Sequence, residues 1–145
     1  MTKDQITVKA ARAAHPMAPA VLRQLGGGAD AVSSALDAAS HGADSGFSGF
    51  TYYRDTIVFA LRHRRAIAQM VRDMASDLGE EPIRMVKGFR CLADLEDADE
   101  AIALALYGGR ARSKDVADSV DLALNALAWF ALEEVGHAIE AASER

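Results

Sequence analysis

From Val116 to Ile139 apolar residues return every three or four positions, and no proline interrupts them. Val116, Val120, Ala123, Leu124, Leu127, Phe130, Ala131, Ala138 and Ile139 fall on one stripe of a helix. A strand alternates with a period of two and cannot collect these residues on one face. The spacing predicts a helix over about 114–142, with Ser113 as its N-cap. In water a helix is stabilised chiefly by packing its apolar stripe, so other helices must be arranged against this one.

Composition points the same way. Alanine supplies 30 of the 145 residues, against nine aromatics and three prolines. A β-sandwich or barrel needs many β-branched and aromatic residues with frequent turns. Disorder is excluded by a hydrophobic fraction of 50% and a net charge of only -5. The expected fold is all-α: a single compact bundle of about five to seven helices, two of them long, at about 55–78 and 114–142. Residues 1–17 show no clear periodicity and read as a loose arm, leaving 18–145 as one helical domain.

Local punctuation marks the other elements. Pro19 opens a short helix from about Ala18 to Leu25, which stops at Gly26. Val32, Ala35, Leu36 and Ala39 share a face of a second helix, with Asp30 as cap and Gly42 as terminator. Ile57, Ala60, Leu61, Ile67, Ala68, Val71, Met74, Ala75 and Leu78 keep helical spacing. Asp55 or Thr56 can cap that helix, Gly79 can end it, and the polar run Arg62–Arg65 marks a kink. Pro82 opens a short helix to about Leu92. Asp97 and Glu100 have capping-box spacing before a helix that Gly108 and Gly109 end.

Several chemistries lack their residues. Cys91 is the single cysteine, so no intrachain disulfide forms, and a reducing compartment is expected. The N-terminal residues have no apolar core of the signal-peptide kind. No apolar run approaches the roughly 20 residues of a membrane span. Glu134-x-x-His137 has the spacing of half a di-iron site, but no second copy exists, so no metal is expected. No glycine motif sits between a strand and a helix with a following Gly-Lys-Ser/Thr, and no cofactor is expected.

Three surfaces are candidates for contact. The first is the loop of residues 41–55, with three glycines and four of the nine aromatics. Phe47, Phe50, Tyr52 and Tyr53 supply large contact areas, and His41, Asp44 and Asp55 supply ionisable groups. The loop is read as a partner or ligand site, or as a plug that closes one end of the bundle. The second surface is acidic. Asp94, Glu96, Asp97, Asp99 and Glu100 crowd seven residues, and Asp115, Asp118 and Asp121 follow at three-residue spacing. Residues 1–93 carry a balance of +3 and residues 94–145 one of -8, so the acids can mimic phosphates toward a basic partner. The third is basic: Arg62, Arg64, Arg65, Arg84, Lys87 and Arg90, around a helix-turn-helix-like segment at 71–90. Glu80 and Glu81 stand at the start of its second helix, where they repel phosphate.

The run HGADSGFSGFTYYRDT at 41–56 resembles a family of small bacterial and phage or prophage proteins known only as a domain of unknown function. The likeness continues through LGE and GFRCL to Leu92, LYGGRA at 106–111 and NALAWFALEEV at 125–135, and spans about residues 36–140. It brings no catalytic residues, and implies a mobile-element origin and action in the cytoplasm of a bacterial host.

These features give three expectations. The first is a non-enzymatic protein that binds and inhibits a host defence or nucleic-acid-handling complex, of the anti-CRISPR or antirestriction kind. Its partner is a host protein or ribonucleoprotein, without a membrane. The second is a nucleic-acid-binding regulator that uses DNA through residues 71–90. The third is a small enzyme or ligand-binding protein centred on the 41–55 loop. The long helices also allow a homodimer.

Overall fold

The computed structural model describes residues 6–41, 49–89 and 92–144. Among these are eight α-helices and no strand, so the all-α expectation holds. They are α1 (Val8–Ala13), α2 (Ala18–Gln24), α3 (Ala29–His41), α4 (Tyr53–Arg62), α5 (Arg64–Leu78), α6 (Pro82–Lys87), α7 (Ala98–Tyr107) and α8 (Lys114–Ser143).

Eight exceeds the five to seven expected, for two local reasons. The stretch read as a loose arm contains α1, whose N-terminus is capped by the Thr7 hydroxyl accepting from the Ala10 N–H at 3.0 Å. Ala11 and Met17 are buried, which ties that segment down. The helix expected over 55–78 is two helices. His63, at φ -111° and ψ 21°, leaves helical geometry between α4 and α5, within the polar run that predicted a kink.

Several caps also differ from expectation. The fourth helix begins at Tyr53, so Asp55 lies in its first turn and Thr56 inside it. The Thr56 hydroxyl donates to the Tyr53 carbonyl at 2.9 Å. Asp30 sits in the first turn of α3 and not at its cap. Gly42 lies outside the described residues. The helix opened by Pro82 ends at Lys87, before Leu92. Ser113 does cap α8, accepting from the Val116 N–H at 3.2 Å. Gly79 ends α5 in the left-handed region, at φ 66°.

Contacts group the chain into two compact units. Unit 1 joins residues 1–56 to 129–145, and unit 2 is the continuous stretch 57–128. In unit 1 the core draws on Val21, Leu22, Ala35, Phe50, Leu132, Val135 and Ile139. Its alanines and Gly136 let backbones come close: a Cβ at Gly136 would collide with the Ala35 carbonyl and crowd the Ala39 methyl. Unit 2 packs α5 and α6 against α7 and against each other. Ile67, Val71, Val86, Leu92, Ile102, Leu106, Val116 and Leu127 are buried there.

Candidate partner surface

The aromatic segment separates into an inward and an outward half. Asp44 and Phe47 lie outside the described residues, and His41 is exposed at the end of α3. Phe50, expected at a partner surface, is 1% exposed and meets Trp129 edge-on, with ring centroids 5.9 Å apart. Edge-to-face pairs at this separation are favourable. The preceding Gly49 has φ 83°, and a Cβ there would strike the Gln24 backbone. The Gln24 side-chain amide donates to the Gly49 carbonyl at 2.8 Å, which pins the turn. Phe50 is therefore an anchor of unit 1.

Tyr52 and Tyr53 face the other way. Tyr52 is 72% exposed and Tyr53 44%. They stand where the anchored turn enters α4, and Thr56, fully buried, fixes the first turn behind them. Asp55 is only partly exposed.

The acidic residues lie wholly in unit 2, but beside bases. Arg112 donates to Asp97 at 3.1 Å and to Glu100 at 3.0 Å. The Glu100 hydrogen bond, then the charges of Glu100 and Asp97, raise the guanidinium pKa above its usual value. These two acids were expected as a capping box, yet Asp97 makes no side-chain cap bond. Lys87 pairs with Asp99 at 3.2 Å, and Lys114 with Asp118 at 3.1 Å. Asp94, Glu96 and Asp115 are exposed and Asp121 partly so.

The division of charge by sequence is thus not a division in space. Unit 2 holds ten Lys+Arg and twelve Asp+Glu, a balance of -2. Unit 1 holds six and nine, a balance of -3. Within unit 2, Asp99 of α7 folds beside Lys87 of α6, and Asp97 and Glu100 beside Arg112, which weakens any long-range field from these acids.

The basic group is dispersed too. Arg84 approaches Glu80 at 3.8 Å, and Lys87 is held by Asp99. Arg64 lies against Gly108, at the carbonyl end of α7, where a cation is favoured. Arg72 lies over the Tyr107 ring at 6.0 Å, a second tie between α5 and α7. Arg90 lies outside the described residues. The helix after the turn, α6, has six residues and is capped at Gly88, a short base for groove reading. Arg62 and Arg65 are exposed and pair with no described acid. With Leu61, His63, Arg64 and Ala66 they line a hollow of about 340 Å³ at the α4–α5 break, which sequence spacing did not reveal.

Among the described residues no group of three or more His, Cys, Asp or Glu could hold a metal ion. Glu134 is half-buried on α8, and burial raises its carboxyl pKa, partly opposed by the charge of His137. No helix among the described residues is long and apolar enough to cross a membrane.

Residues 17–145 match a domain of unknown function, DUF7222, and the chain belongs to that family. The match reaches further toward the N-terminus than the quoted motifs do. No curated protein and no solved structure matches the chain significantly.

Proposed function

We propose that this DUF7222 member is an accessory protein of phage or other mobile-element origin that acts in the bacterial cytoplasm without catalysis. It binds a host protein or ribonucleoprotein that defends against, or handles, foreign nucleic acid, and inhibits it by occupying its surface. The observation that supports this reading is the outward tyrosine pair. Tyr52 and Tyr53 are held on a pinned turn between the buried Phe50 and the buried Thr56. Tyrosine is enriched where binding energy concentrates, because it offers wide apolar contact and a hydroxyl at low entropic cost. Steric occlusion fits unit 2 better than phosphate mimicry, since Asp97, Asp99 and Glu100, in the middle of its acidic run, are offset by neighbouring bases.

Expression of the chain in bacteria carrying an active restriction or CRISPR system tests this. Phage plating should recover, and Tyr52→Ala with Tyr53→Ala should abolish the recovery. The chain should also copurify with a component of the relieved system. Unchanged plating, with duplex DNA recovered in place of protein, would overturn the reading in favour of a DNA-binding regulator.

A further inference from the structure

We infer that unit 2 is a self-association surface, in which the hollow at the α4–α5 break receives the exposed start of α8 from a second copy of the chain. The hollow has an apolar member, Leu61, which is 51% exposed, and Val58 beside it on α4 is 45% exposed. Arg62 and Arg65 rim it without a described acidic partner. The complementary chemistry is present in the same unit, on α8. Leu122 on α8 is 38% exposed, large for an apolar residue in so alanine-rich a helix. Asp115 and Asp118 lie seven and four residues before it, on the same helix face.

Each feature is thus an apolar residue flanked by charge, and the charges are opposite. Asp118 is paired with Lys114 of its own helix, but both side chains are well exposed, so this pair is weak and exchangeable. Because one chain carries both halves, a two-fold axis would form the contact twice, hollow to helix and helix to hollow. Doubling lets a small contact hold, since the second engagement follows at high effective concentration. The tyrosine pair is not part of this surface, so self-association and host binding can be separated by mutation.

Two charge-reversed proteins test the inference by sedimentation or light scattering across a concentration series. Arg62→Glu with Arg65→Glu makes both halves acidic, and Asp115→Arg with Asp118→Arg makes both basic. The unaltered protein should dimerise with rising concentration. Each variant alone should dissociate at least about tenfold more readily, since like charges then face each other. An equimolar mixture of the two variants should dimerise again, as a heterodimer with both contacts complementary. Helical circular dichroism confirms folding of each, and Leu61→Glu gives a second disruption of the hollow if one variant misfolds. An unaltered protein that stays monomeric, or variants that dimerise as it does, would overturn the inference. So would a mixture that stays monomeric.

Discussion

Gly136 sits on the backbone of Ala35. No Cβ fits between them, so α8 and α3 pass each other at the distance only a glycine allows. This makes a prediction whose sign opposes helix propensity. Glycine to alanine in a helix interior ordinarily stabilises by about 1 kcal/mol. Here Gly136→Ala must push backbone aside, and overpacking costs roughly 1–3 kcal/mol or more. Thermal or urea unfolding should show a net loss. Gly28, with open space about its Cβ position and no positive φ, is the control, and Gly28→Ala should be neutral or mildly stabilising.

The inward and outward aromatics should separate by energy. Phe50→Ala removes a fully buried ring and its Trp129 contact, at a cost of about 3–5 kcal/mol. Tyr52→Ala removes an exposed ring and should stay within about 0.5 kcal/mol. Equal losses in denaturant unfolding would refute the division of the segment into anchor and contact.

Acid should loosen unit 1 through His15. The Met17 N–H donates to His15 Nδ1 at 2.9 Å, so the imidazole must stay neutral at that nitrogen. Burial lowers its pKa below the ordinary 6.5. A depressed histidine contributes stability that is full above the ordinary value and lost as pH falls through the lowered one. Melting temperature should therefore decline below about pH 6.5, and His15→Asn, which can accept the same bond without titrating, should flatten that limb.

Glu134 should act in the opposite sense. Burial raises its pKa above 4.5, so the folded state prefers the protonated carboxyl. Its favourable contribution is present below that ordinary value and is lost as pH rises through the raised one. Glu134→Gln should stabilise the protein at neutral pH and have little effect in acid. A variant destabilised at neutral pH would mean that the carboxylate is held by partners that favour its charge.

What the sequence disclosed follows the range of each interaction. Ser113, Gly79 and Gly108 work within one turn, and their roles as cap and stops were legible from spacing. Asp97 and Glu100 misled because their partner, Arg112, is remote in sequence and takes both carboxylates. The break at His63 was announced by four polar residues, but the hollow it opens depends on how two helices diverge. Phe50 and Tyr52 are neighbours in a turn with no period, so nothing in their spacing tells inward from outward. The charge halves were real in sequence, yet folding set acids beside bases, as Lys87 and Asp99 show.

The division of the chain into units also has an order in time. Unit 2 is one continuous stretch and can close while later residues are still being synthesised. Unit 1 cannot, because its first 56 residues need Trp129 and the rest of α8 to complete their core. During translation α3 must wait without Gly136 against Ala35 and Ala39, and small, weakly adhesive alanines are well suited to that delay. The ring of Trp129 meeting Phe50 is thus among the last contacts the growing chain can make.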